Sequence, residues 1–515
     1  MAMYTTENRY SIRTLNELLS YIRTNYPGEA AFSYRKGQQL EEISRENFYR
    51  DCMKMARLAE RWPADRIAIG GDNSYAWIVA FLGIACCGKI AVLLDKAATP
   101  EETVQMLETS ECTNIWFSDS FQATAEAVQA AGVKIPKGDQ AKVCAETDAR
   151  TETGTGVFIT NLSEIMKAME GECEDTVAFL PARDAIAAIL FSSGTTGIRK
   201  AVPLTHGNIA ADVFNTSKMF HPCEIRGTVV AALPLHHVFG LVCTILMGLV
   251  EIGTVFINDS LRRLPMDISF CHASTLIAVP AMVEMLLKLA RGRKDPSKMH
   301  GMYGPQLKFI ISGAGPMDPE TKQAIEAADI HLFEGYGLTE CASVATANTN
   351  VALYGVSVGT PVEGCQVRLS EEGEILLRGE NVMSGYYNAP EENEKSFVDG
   401  WFRTGDLGRI GENGELYIVG RIKKLIILSN GENIPAEPLE RLMYQLPYVK
   451  ECVVRGIKDV ITAEVFLDPE APEGAQRIKE DVEIINRSLP LNRCIMDVVI
   501  RDQEFEKTST NKIKI

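Results

Sequence analysis

The sequence predicts an α/β protein: a large N-terminal part of doubly wound sheets, a small β-barrel after it, and a small α+β domain at the C-terminus. Three observations carry this. Helical and strand periodicities alternate up to about Ala345, the pattern of βαβ crossovers in a parallel sheet. From Gly355 to Val419 the texture changes to short strands with turns at Glu371-Glu372-Gly373 and Glu412-Asn413-Gly414. At 515 residues and 46% hydrophobic content, the chain can bury about three or four separate cores.

Taken in order, Thr14 to Asn25 sets Leu15, Leu18, Leu19 and Ile22 on one helical face, and Asn47 to Arg61 repeats the period. Arg66 to Gly71, Lys89 to Leu94 and Thr113 to Phe117 read as strands, separated by helices from Tyr75 to Cys87 and Pro100 to Ser110. Residues 134–178, polar and rich in Glu, Thr and Gly, read as a surface connection. Ile186 to Phe191 is a short buried strand, and Thr205 can cap a helix from His206 to Phe220. The apolar run Leu241 to Val250 ends at Glu251, well short of the roughly 20 residues a bilayer span needs, so it reads as a buried helix. The predicted boundary separates residues 1–419, with the barrel at about 355–419, from residues 420–515.

Composition excludes some functions. A net charge of −16 and a pI near 5.1 oppose non-specific binding to nucleic acid or anionic lipid, both of which select a basic face. Thirteen cysteines without a C-x-x-C pair suggest neither a zinc site nor a disulfide framework. Free thiols in that number fit a reducing cytoplasm, and the N-terminus lacks the apolar core of a signal peptide.

The chemistry gathers in a few stretches. Phe191 to Lys200 reads FSSGTTGIRK. Gly194 and Gly197 allow backbone N–H groups to converge into an anion nest, Ser193, Thr195 and Thr196 add hydroxyl donors, and Lys200 adds a charge, a set that suits a polyphosphate. No Gly-Lys-Ser/Thr closes the loop, which argues against a Walker-type NTPase. In GYGLTE, Tyr336 offers a ring for a base, Thr339 a hydroxyl, and Glu340 a carboxylate for Mg²⁺, a metal that takes one or two carboxylates plus substrate phosphates. Asp406 sits in a tight Thr-Gly-Asp turn suited to a sugar diol, Arg421 and Lys423 stand at the domain boundary, and Lys512 lies in the terminal KTSTNKIKI. Each feature alone also has an ordinary structural reading, as a surface turn, a packed aromatic or a solvated lysine.

Together, and in this order, FSSGTTGIRK, LPLHHVFG, SGAGP, GYGLTE, GWFRTGDLG, GRIKKLIILSNGEN and KTSTNKIK resemble the motifs of the adenylate-forming superfamily: acyl- and aryl-CoA synthetases, adenylation domains of non-ribosomal peptide synthetases, and firefly luciferase. The texture is most similar to bacterial long-chain fatty acyl-CoA synthetases. The resemblance implies an AMP-binding N-terminal domain and an enzyme that couples a carboxylic acid to ATP. An acyl-adenylate and pyrophosphate form, and the acyl group then passes to the thiol of CoA or of an acyl carrier protein's phosphopantetheine.

The same resemblance assigns Ser193, Gly194, Thr195, Thr196, Gly197 and Lys200 to the phosphates, and Gly313, Ala314, Gly335 and Tyr336 to adenine. It places Thr339 at the α-phosphate, Glu340 on Mg²⁺, and Asp406 with Arg421 on the ribose. Lys512 would bridge carboxylate and α-phosphate, the loop around Gly431 would line the thiol's path, and Lys423 would be the hinge. Amino-acid-activating members carry an Asp in the motif that here reads LPLHHVFG; there is none here, His237 stands where acyl- and aryl-CoA members often have His or an aromatic, and the run Leu241 to Leu249 behind it is apolar. An amino-acid or aryl-acid adenylating enzyme of the same fold and a non-catalytic nucleotide-binding descendant are the alternatives. Three positions depart from the family pattern: Arg199 replaces a usual proline, which either loosens the end of the phosphate loop or adds a charge to it, and Glu506 and Asn511 replace Pro and Gly.

Overall fold

The strands on either side of residues 193–198 pair at the edge of a mostly parallel sheet. The computed structural model describes residues 11–26, 28–134, 156–172, 180–192, 199–292, 294–349, 357–427, 433–457, 460–507 and 513. The sheet runs Phe158–Asn161, Asn114–Phe117, Arg66–Gly70, Ile90–Leu93, Ile186–Ser192, Lys200–Thr205. All its pairs are parallel except the last, an antiparallel hairpin that sets Lys200 opposite Ser192.

The helix Tyr75–Cys86 crosses from one central strand to the next and is buried on every side from Trp77 to Cys86, as an apolar crossover packed within a protein should be. Ser74 caps it by accepting from the Trp77 N–H. Thr205 caps the helix His206–Phe220 as expected, in a reciprocal box with Asn208.

A second sheet has nine strands. It runs Thr360–Pro361, Thr346–Asn348, His331–Tyr336, Phe309–Ser312, Thr275–Ala278, Gly227–Ala231, Gly253–Ile257, Ala30–Lys36, Gln39–Ser44. Its central pairs are parallel and its edges antiparallel. Val230, Phe256, Leu276, Ile310 and Leu332 from the strands pack with Leu286, Met299 and Ile325 from flanking helices.

Two stretches differ from expectation. Within 134–178, Phe158–Asn161 is an edge strand, and Leu162–Glu170 a helix that buries Leu162, Ile165 and Met169. That three-residue apolar face is too short to stand out against a polar average. The apolar run beyond Leu241 is buried as expected, but Phe239–Ile252 winds as a π-helix, a form usually met as single turns near functional sites.

Between Cys365 and Arg421, where the barrel is expected, Cys365–Leu369, Glu374–Gly379, Trp401–Ile410, Phe397–Val398 and Leu416–Arg421 form one sheet. Beyond it lie a two-stranded sheet, Leu425–Ile427 with Asn433–Pro435, and a three-stranded one, Val449–Ile457, Val460–Leu467 and Asp497–Arg501. The helices Ala436–Met443 and Gly474–Asn486 close a small core around Leu439, Met443, Val454, Ala463, Ile478 and Val482. The architecture is thus mixed α/β, with a larger unit of Met1–Gly194, Arg199–Val367 and Leu377–Phe402 and a smaller one of Arg368–Leu376 and Arg403–Ile515. No helix of the described residues is long and apolar enough to cross a membrane.

Candidate active site

Lys200 opens its strand with its ammonium ion-paired to Glu392 and 4.7 Å from the centroid of the Tyr386 ring, where the ring's negative face attracts a cation. The Tyr386 hydroxyl donates to Glu340 Oε1 at 2.9 Å. Burial first, and then the Glu340 charge and hydrogen bond, push this phenol above its ordinary range, so it stays a donor at neutral pH. Lys200 and Glu340, distant in sequence, therefore sit on the face and at the hydroxyl of one tyrosine.

Glu340 itself is buried, in the single turn Thr339–Cys341, and its carbonyl accepts from Met383 N at 2.8 Å. The backbone here is demanding. Ala342 has φ 59°, and a Cβ at Gly337 would fall 1.7 Å from the Ser343 carbonyl oxygen. Asp212, reaching in from the helix His206–Phe220, holds the turn in place: its Oδ1 accepts from Val344 N at 3.0 Å and from Asn381 Nδ2 at 3.4 Å. Asn381 Nδ2 also donates to the carbonyls of Cys341 and Val344, at 3.2 and 2.8 Å. Asp212 is fully buried and its Oδ2 has no hydrogen-bond partner. Burial pushes its carboxyl up to about 8, against the pull of the Val344 and Asn381 donors.

The LPLHHVFG stretch is fixed by Asn73, which donates to the Leu233 carbonyl at 2.8 Å and accepts from Leu235 N at 3.1 Å. Gly240 is required because a Cβ would meet Pro234 O at 2.2 Å. The His236 and His237 rings lie 4.4 Å apart. His236 is buried, with Nε2 3.3 Å from Asp95 Oδ1 but without the alignment of a hydrogen bond. Burial first, then His237, hold its pKa down to about 3 against Asp95, so the ring is neutral. Asp95 Oδ2 accepts from Arg199 Nη1 at 2.9 Å, and Arg199 Nη2 lies 3.6 Å from Glu102 Oε2. The arginine in the proline position is therefore ion-paired to two carboxylates.

Gly313 and Gly335 follow paired strand residues, Ser312 and Glu334, on neighbouring parallel strands. A Cβ on Gly313 would lie 3.3 Å from the Phe239 ring and 3.5 Å from Gly335 O, so a side chain here would crowd both neighbours. Ala314 has φ 65° and is exposed, and Tyr336 ends the next strand.

In the smaller unit, Asp406 and Arg421 are paired across antiparallel strands, and Arg421 Nε lies 3.0 Å from Asp406 Oδ1. Gly405, at φ 73°, donates to Glu374 Oε1 at 3.0 Å, and the buried Glu374 also accepts from Arg403 at 2.8 Å. Lys423 is exposed in the turn Ile422–Lys424, whereas Lys424 reaches Glu440 at 3.4 Å. Lys507 pairs with Glu451 and forms a bridge with Ile513. Ser193, Gly194, Thr195, Thr196, Gly197, Gly431 and Lys512 lie outside the described residues.

The donors fit a nucleotide's magnesium. Glu340 supplies one buried carboxylate, and a magnesium of this kind takes one or two carboxylates plus substrate phosphates. Motif reading misses Asp95, Asp212, Tyr386, Asn381 and Glu392. A signal exists for two of them: Asp212 interrupts an apolar helix face, and Asp95 follows a strand at the carboxyl edge where open α/β sheets bind ligands.

The profile of a protein family described as AMP-binding enzyme matches residues 22–387. The chain is 26% identical over 468 residues to the long-chain-fatty-acid–CoA ligase FadD15 of Mycobacterium bovis, over 80% of this chain and 74% of that one. It is 28% identical over 507 residues to the 2-succinylbenzoate–CoA ligase of Listeria monocytogenes, over 95% of each. Its fold is similar to that of o-succinylbenzoate CoA synthetase from Bacillus subtilis in complex with the acyl-adenylate intermediate OSB-AMP, with a TM-score of 0.79 over 96% of each chain at 23% identity.

Proposed function

The chain belongs to the AMP-binding enzyme family, and from that premise we propose that it is an ATP-dependent acid–thiol ligase whose acid is a fatty acid and whose thiol is CoA. The observation that carries this reading is the joining of Lys200 and Glu340 through Tyr386: a cation for phosphate and a carboxylate for its metal share one rigid support.

In this reading Lys200 exchanges Glu392 for the β- and γ-phosphates, helped by Ser193, Gly194, Thr195, Thr196 and Gly197. Glu340, oriented by the Tyr386 hydroxyl, would hold Mg²⁺, which when bound would lower the charge that the incoming carboxylate must approach. Gly313, Ala314, Gly335 and Tyr336 flank the adenine, Thr339 meets the α-phosphate, and Asp406 with Arg421 takes the ribose hydroxyls. His237 faces the acid, with the buried π-helix Phe239–Ile252 supplying the apolar wall for an alkyl chain.

A carboxylate oxygen bonds to the α-phosphorus as the bond to the pyrophosphate oxygen breaks, and Lys512 neutralises the charge that develops. The thiol sulfur, reaching in past Gly431, then bonds to the acyl carbon and AMP leaves. One small domain, residues 420–515, presents Lys512 and the thiol route in turn, pivoting near Lys423. The FadD15 relative supports the fatty acid, and the succinylbenzoate ligase names the aryl alternative.

The test is ATP–pyrophosphate exchange against acetate, octanoate, palmitate, 4-coumarate, 2-succinylbenzoate and a mixture of amino acids, followed by thioester formation with CoA or with a pantetheinylated acyl carrier protein. Octanoate or palmitate with CoA is the expected pair. Exchange confined to an aryl or amino acid overturns the fatty-acid assignment, and no exchange at all overturns the ligase.

A further inference from the structure

Asp95 occupies an unusual junction. It lies just beyond the strand Ile90–Leu93, which runs parallel to Ile186–Ser192 in the register Val92 to Ile189, so both strands leave the sheet at one edge. From there one carboxylate reaches two motifs. Its Oδ2 takes Arg199 at 2.9 Å, the penultimate residue of the phosphate-loop motif, and its Oδ1 lies 3.3 Å from His236 of the histidine pair. The carboxylate is preset, because Oδ1 also accepts from the N–H of Ala97 at 2.9 Å, a local turn that fixes its rotamer. It is 3% exposed, so water screens these contacts little. Asp95 pairs its charge with Arg199, and the imidazole of His236 is oriented by dipole and packing.

We propose that Asp95 is a positioning residue for adenylation: it sets the Arg199 stem of the phosphate loop and the His236–His237 pair together, so that nucleotide and acid are held in one register. This rests on the ligase reading above. Glu102 reinforces the Arg199 side at 3.6 Å, and the 4.4 Å packing of the two rings carries the restraint from His236 to His237. A mere brace would act on stability alone, whereas a shared support must act on the binding of both substrates.

The experiment measures KM for Mg·ATP and for the best acid of the panel by pyrophosphate exchange, with thermal midpoints alongside. Asp95→Asn is expected to raise both KM values about tenfold, the scale of one lost charged hydrogen bond. Arg199→Gln should raise chiefly the KM for Mg·ATP, and His236→Asn chiefly that for the acid. Asp95→Asn combined with Arg199→Gln leaves no buried charge unpaired and should melt near wild type, yet keep both KM values high. Wild-type KM values in that folded double variant, or a rise in only one KM in Asp95→Asn, overturn the proposal. A wild type that exchanges with no acid refutes the ligase reading and this proposal with it, whereas wild-type exchange with unaltered variants refutes the proposal alone.

Discussion

Replacing Asp212 with asparagine should make the protein more stable at neutral pH, by an amount that grows with pH. The side chain is fully buried, and its carboxyl is raised from 3.8 to about 8. Between those values the folded protein keeps a proton that the unfolded chain releases, so folding binds protons and stability falls as pH rises from about 4 to about 8. Each pH unit in that window costs about 1.4 kcal/mol. Asparagine keeps an oxygen for the Val344 N–H, which donates at 3.0 Å, and has no proton to hold.

The Asp212→Asn advantage should therefore be about 3 kcal/mol larger at pH 7 than at pH 5 and level off above about pH 8. Urea unfolding of both proteins at pH 5, 6, 7 and 8 gives the difference directly, because every other titrating group is common to both. Parallel stability curves would show that Asp212 is ionised in the folded protein and refute the reasoning.

Three further outcomes are expected. Glu392→Gln frees the Lys200 ammonium from its resident carboxylate, so the KM for ATP in pyrophosphate exchange should fall several-fold; a rise would mean that Glu392 orients Lys200 rather than competes for it. Lys512→Ala should slow exchange by about 10²- to 10³-fold while calorimetry still shows ATP binding, and exchange at the wild-type rate would remove Lys512 from the adenylation step. Lys423→Pro fixes φ near −65° at the exposed turn Ile422–Lys424, so exchange should persist while thioester formation nearly stops and acyl-AMP builds up on the enzyme. Equal loss of both half-reactions in a folded protein would count against a pivot there.

Local signals in the sequence are read well. The Thr205 cap, the strands before and after Tyr75–Cys86 and the turn at Gly373 all follow from hydroxyl caps, period-2 runs and a glycine that reaches φ 83°. What the sequence conceals is pairing over distance. Arg199 finds Asp95 across 104 positions, and Lys200 finds Glu392 across 192, separations that no spacing rule spans. Arg199 departs from its motif, and its partner comes into view only in the fold. The π-winding of Phe239–Ile252 is concealed for another reason: an all-apolar run carries no periodicity that separates one helical pitch from another.

The pair between Lys200 and Glu392 bears on turnover as well as capture. Both residues belong to the same unit, so the carboxylate waits beside the lysine at an effective concentration that no dissolved anion matches. On the proposed role of Lys200, Glu392 would reclaim the ammonium as pyrophosphate loosens, which would make departure a replacement instead of an uncompensated loss of contact. An anion that offers the lysine only one weak contact, such as chloride, meets the same resident competitor at the door, and the enzyme should therefore tolerate salt better than one whose phosphate lysine stands open to solvent.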